Sequence, residues 1–122
     1  TDTILLIRAK KDIRNKDYQK AYNRITDGLA SDAKNPDLHN LLGFSARKLG
    51  RYEISEKHYS KALELDPKHK GALEYMGELY LTLGKPEEAE KLRERLSDIC
   101  WLGCKELKML DQAISDWKKS NS

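Results

Sequence analysis

Apolar residues recur along this chain at the three-to-four-residue spacing of an α-helix. In the middle of the chain Leu38, Leu41, Leu42 and Leu49 share one helical face, and Ile54, His58, Tyr59, Ala62 and Leu63 share the next. Local punctuation separates such faces. Asn35-Pro36-Asp37 reads as a helix start, with Asn as the cap and Pro in the first turn. Gly50 and Gly84 read as helix ends in the left-handed conformation. Lys85-Pro86-Glu87-Glu88 restarts a helix, its carboxylates near the positive end of the helix dipole. A final amphipathic helix is predicted over residues 105–119, with Leu107, Leu110, Ile114 and Trp117 on its apolar face.

The pattern repeats every 34 residues: Tyr18, Tyr52 and Pro86 stand in register, as do Ala21, Ser55 and Ala89, Gly43 and Gly77, and Gly50 and Gly84. Three copies follow, at about residues 2–35, 36–69 and 70–103, each with two antiparallel helices. With the final helix this predicts an all-α fold of seven helices in a single domain, the copies stacking to bury a shared core. Gly43 and Gly77 sit mid-helix, where Gly costs about 1 kcal/mol relative to Ala. Each therefore implies close approach of a partner helix, expected at Ala62 for Gly43 and at Leu96 for Gly77.

Leu42-Gly43, Gly50, Tyr52, Tyr59, Ala62 and Pro67, followed by Met76-Gly77, Tyr80, Gly84, Pro86 and Ala89, stand where the tetratricopeptide repeat places its signature residues. Over about residues 2–103 the chain resembles that family. The resemblance implies a right-handed solenoid of three helix-turn-helix repeats with a C-terminal capping helix. It also implies a non-enzymatic scaffold whose first helices line a concave groove for a protein or peptide partner. Carried over by position, the groove residues are Lys10 and Arg14 in the first copy and Asn40, Phe44, Arg47 and Lys48 in the second. Glu74 and Glu78 follow in the third, each of these charged residues also being readable as part of a solvated helix face. Phe44 lies off the apolar face of its helix, and Arg47 stands one turn further on, so ring and guanidinium are placed to grip one ligand. Some family members hold a partner's terminal carboxylate in a clamp. The matching positions here are Leu6, Lys10, Leu41, Gly71 and Tyr75, of which only Lys10 has suitable chemistry.

Charge narrows the partner class. Charged residues make up 35% of the chain, yet acids and bases nearly balance at +3, which describes a solvated surface more than a nucleic-acid footprint. The basic run Arg8-Ala9-Lys10-Lys11 lacks the interleaved aromatic residues of single-strand binders, so no nucleic-acid partner is expected. No apolar run approaches the roughly 18 residues of a membrane span, and no membrane insertion is expected. No catalytic triad, zinc or phosphate-binding motif appears, and no cofactor or metal is expected. His39 and His58 fall on helices facing each other within one copy and read as a packed pair. Ile4, Leu5, Leu6 and Ile7 give the first helix more apolar surface than one partner helix covers, which points to a homo-oligomer as the alternative function.

Cys100 and Cys104 bracket the junction before the last helix, in Ile-Cys-Trp-Leu-Gly-Cys-Lys-Glu-Leu. Three readings stand: a disulfide, with Gly103 bending the chain; two buried thiols packing as small apolar residues; and a metal or redox site, which two thiolates alone do not complete. Trp101 reads as a cover over the junction. The segment resembles the Cys-x-x-x-Cys-x-Glu-Leu ending of some exported bacterial tetratricopeptide proteins. That resemblance implies an oxidising compartment and a periplasmic or otherwise exported location, with the cytoplasm as the alternative.

Overall fold

A computed structural model describes residues 2–29 and 34–122. The link at residues 30–33, inside the first copy, lies outside the described residues. Among the described residues seven α-helices follow in order: α1 (Asp2–Arg14), α2 (Tyr18–Gly28), α3 (Pro36–Lys48), α4 (Tyr52–Leu65), α5 (Lys70–Thr82), α6 (Pro86–Ile99) and α7 (Lys105–Ser120). No strand occurs among the described residues. Contacts divide the chain into two compact units that meet in sequence at Pro67–Lys68, the first containing α1 to α4 and the second α5 to α7.

The expected helix start at Asn35 is present: its side chain accepts hydrogen bonds from the amides of Asp37 (3.0 Å) and Leu38 (3.3 Å). The 34-residue register is repeated in the backbone hydrogen bonds that close each first helix. Asp17 N–H donates to Asp12 O, Arg51 N–H to Ala46 O and Lys85 N–H to Tyr80 O, each at 2.8 Å. Gly50 and Gly84 hold the positive φ that this closure needs, at 77° and 73°. In the first copy the same position is Lys16, with φ 61°. An L-residue with a side chain pays for that conformation by roughly 1–2 kcal/mol. Lys16→Gly is therefore expected to raise the urea midpoint, by about 1 kcal/mol of stability; an unchanged midpoint would show that the turn is not strained.

In the first unit α1 packs on α2 and α3, α2 on α3, and α3 on α4. Ala9, Ile25, Leu38 and Leu42 form a buried core, flanked by Leu5, Leu6, Tyr22, Leu29 and Leu41. At its edge Asp12, 5% exposed, accepts from Arg24 Nε at 2.7 Å, which holds the guanidinium's pKa above its ordinary value. Between α3 and α4, Tyr59 is fully buried and Ser55 Oγ donates to Gly43 O at 2.7 Å. The approach to Gly43 is made by Tyr59, where Ala62 was expected: a Cβ at position 43 would fall 2.8 Å from Tyr59 Cδ1.

In the second unit α5 packs on both α6 and α7, burying Leu73, Met76, Leu79, Ala89, Leu92, Leu96, Leu110 and Ile114. Gly77 also departs from expectation. A Cβ there would fall 2.7 Å from Leu110 Cδ1 on α7, so the neighbour is the capping helix and not Leu96. The register supplies the reason. Tyr59 corresponds to Arg93, whose guanidinium pairs with Asp111, and the space over Gly77 falls to Leu110.

Candidate functional site

The second-copy residues form one row along α3 in the first unit. Asn40 is 7% exposed and its Oδ1 is buried without a hydrogen-bond partner among the described residues. One turn on, Phe44 is half-buried and meets Tyr18 of α2 edge-on, with ring centroids 6.2 Å apart and an interplanar angle of 61°. Arg47 and Lys48 both reach over the Phe44 ring, at 5.4 and 5.5 Å from its centroid. The buried Nε of Arg47 likewise has no partner among the described residues. The ring and the guanidinium are thus held together before any ligand arrives. Lys10 and Arg14 are exposed on α1, the helix packed against α3.

An unsatisfied buried amide oxygen costs about 1–3 kcal/mol unless a partner supplies the missing bond. Asn40 therefore differs from a solvated groove residue, although the helical pattern alone made those two readings alike.

In the second unit Glu74 and Glu78 stand one turn apart on α5, as the sequence places them. Glu74 is only 3% exposed and Glu78 is half-buried, so the reading of both as a solvated face is corrected. The surroundings of an α5 face depend on what lies opposite it, which spacing along one helix does not encode.

His39 on α3 and His58 on α4 meet through their Nδ1 atoms at 3.0 Å, with rings inclined by 16°. The 5.3 Å centroid separation exceeds the nitrogen separation by about one ring diameter. The rings therefore meet edge to edge through a hydrogen bond, more than as a face-to-face stack. Burial first, then the charges of His39 and Lys57, push His58 down to about 4. As pH falls the unfolded chain takes up this proton near the ordinary value of about 6.5, while the folded chain resists until about 4. Stability is fully present above that window and is lost through it. The expected loss between pH 7 and pH 4 is about 1–2 kcal/mol after discounting for solvent screening. His58→Phe should flatten that part of the urea-midpoint profile; an unchanged profile would remove His58 as its source.

The two cysteines lie at the ends of the α6–α7 turn, Cys100 capping α6 and Cys104 preceding α7. Their Cα atoms are 5.7 Å apart and the sulfurs are at disulfide-bonding distance. Gly103 supplies the bend, with φ 93° and its amide donating to Cys100 O at 2.7 Å. The expectation that Trp101 covers the junction is overturned: Trp101 is 78% exposed and Leu102 is 82% exposed. Turning Cys100 inward, to 5% exposure, sends the two residues after it into solvent. Reduction of the pair is expected to cost about 2 kcal/mol, the loop-entropy value for so short a ring. A thermal midpoint indifferent to reductant would argue against a closed ring.

A family model for the tetratricopeptide repeat matches residues 36–100, and the chain belongs to that family. Its solved structural neighbours show the same all-α repeat fold. The first TPR domain of the human RPAP3 protein is 24% identical, with a TM-score of 0.79, over 97% of this chain and 95% of that one. The second TPR of Spaghetti (RPAP3), bound to HSP90 peptide SRMEEVD, is 26% identical with a TM-score of 0.74, over 80% and 90% of the two chains. The Yersinia enterocolitica type III secretion chaperone SycD, in complex with a peptide of the translocator YopD, is 20% identical with a TM-score of 0.79, over 98% and 92%. No curated protein sequence matches the chain.

Proposed function

We propose that this chain is a non-enzymatic protein- or peptide-binding scaffold, acting as an adaptor, assembly factor or co-chaperone through the α1–α3 face of its first unit. The observation that carries the reading is the α3 row. A buried Asn40 carboxamide with an unmet acceptor stands one turn from an aromatic ring already flanked by two cations. An extended peptide with an acidic side chain offers what this row invites: a carboxylate for the Arg47 guanidinium beside the Phe44 ring, with Lys10 and Arg14 adding long-range attraction. The acidic pair Glu74 and Glu78 on α5 offers a second, oppositely charged patch. Peptide-bound neighbours of the same fold support this class of function.

The test is affinity capture from the native source with wild type and a folded Phe44→Ala/Arg47→Glu variant. A partner retained by wild type and lost by the variant supports the α3 row; equal retention by both removes it. Exposure of Ile4 and Ile7, at 51% and 61%, favours the second reading, a self-associating module using its N-terminal repeat. The same proposal puts the chain in the periplasm or another exported location, since the cysteine pair needs an oxidising compartment to close. Free thiols at Cys100 and Cys104 in protein taken from its source would defeat that location.

A further inference from the structure

The α6–α7 turn presents two large apolar side chains, Trp101 and Leu102, on a ring anchored at Cys100 and Cys104. Such a knuckle has already lost most of the conformational freedom that binding would cost it. Tryptophan on a rigid support is also the side chain most enriched at energetic centres of interfaces. The first unit contains a cleft of about 310 Å³, lined by Asp2, Ile4, Leu5, Arg8, Arg24 and Gly28. Ile4 gives it an exposed apolar wall. Leu5 lies against Gly28, where any Cβ would overlap its Cδ2, so the absent side chain leaves room for the leucine.

We propose that the Trp101–Leu102 knuckle of one copy seats in the Ile4–Leu5 cleft of a second copy, making a head-to-tail contact. This goes beyond peptide recognition by α3 and uses none of its residues. Charges around the two surfaces match. Arg24 is already held by Asp12 at 2.7 Å, which leaves exposed Arg8 on the cleft rim to face an indole and a carboxylate. The knuckle brings both, because exposed Asp98 stands three residues before Trp101. Exposed Lys105, after the ring, matches exposed Asp2 on the cleft. Knuckle and cleft are different surfaces, so the contact is heterologous: a joined pair keeps one unused cleft on one copy and one unused knuckle on the other.

Sedimentation velocity on the oxidised chain, from micromolar to sub-millimolar concentration, tests this. Wild type should gain mass with concentration. Trp101→Ser/Leu102→Ser, which lacks the knuckle, and Ile4→Glu, which lacks the apolar wall, should each stay monomeric. Mixed in equal amounts, the two variants should form a species of two chains and nothing larger, since the mixture holds one usable knuckle and one usable cleft. In a Trp117→Phe background the Trp101 emission should shift to the blue as concentration rises. Ile4, Trp101 and Leu102 are exposed, and far-ultraviolet circular dichroism checks the folding of each variant. Phe44→Ala/Arg47→Glu should associate like wild type, which separates this contact from the α3 site. The proposal is overturned if wild type remains monomeric throughout, or if the mixed variants do. Association that survives loss of the knuckle also overturns it, and assigns the contact to α1 against α1.

Discussion

Tyr59→Ala is expected to cost about 3–5 kcal/mol of stability, the range for removing a fully buried aromatic side chain. The ring has no exposed surface and lies against the one position on α3 that carries no side chain. Deleting it opens a void lined on one side by the backbone of Gly43, and a helix backbone does not collapse to refill such a space. The reverse substitution checks the same contact from the other side. Gly43→Ala gains about 1 kcal/mol in helix propensity. The added methyl falls 2.8 Å from Tyr59 Cδ1, however, and overpacking of this kind costs about 1–3 kcal/mol. Gly43→Ala is therefore expected to be neutral or destabilising alone and to be rescued by Tyr59→Leu, which makes room for the methyl. Urea denaturation of the four proteins in that cycle measures the coupling. Additive effects, or a loss below about 1 kcal/mol for Tyr59→Ala, would mean the ring does not fill this space.

The second large effect belongs to α7. Leu110→Ala is expected to cost about 2–5 kcal/mol, because Leu110 is fully buried and occupies the space above Gly77. Its neighbour Met109 is 54% exposed, and Met109→Ala should change stability by no more than about 0.5 kcal/mol. Adjacent positions of similar chemistry thus carry opposite expectations, which controls for any general effect of substituting in α7. Hydrogen exchange locates the loss: with Leu110→Ala the amides of α5 and α7 should lose protection together, since those helices pack on each other. Equal effects at positions 109 and 110 would mean that α7 is not docked through this face.

These cases show where a one-dimensional pattern runs out. The 34-residue register correctly marks Gly43 and Gly77 as close-approach positions, but it assigns the approaching residue as though each copy were alike. Tyr59 and Arg93 occupy the same register position and behave differently, because a guanidinium beside Asp111 is better paired at the surface than buried. The α3 row was legible as a set of positions, and its cation–ring geometry follows from the one-turn spacing of Phe44, Arg47 and Lys48. Burial of Asn40 and Glu74 was not legible, since period alone says which residues share a face and nothing about what stands opposite.

By itself the sequence determined the helix identities, most of their ends and the register that relates the copies. Those are local matters: propensity, a capping side chain at Asn35, and glycine where φ must be positive. The register puts Lys16 at the glycine position of the first copy, but only the folded backbone shows a lysine held there at positive φ, beside the closing hydrogen bond from Asp17 to Asp12. The tertiary structure alone decided that Leu110 fills the space over Gly77, that Asn40 is buried with an unmet acceptor, and that Trp101 and Leu102 face solvent. Each depends on which helix lies across from a given face and how closely it approaches, and burial is a property of that pair of surfaces, never of one strip of sequence.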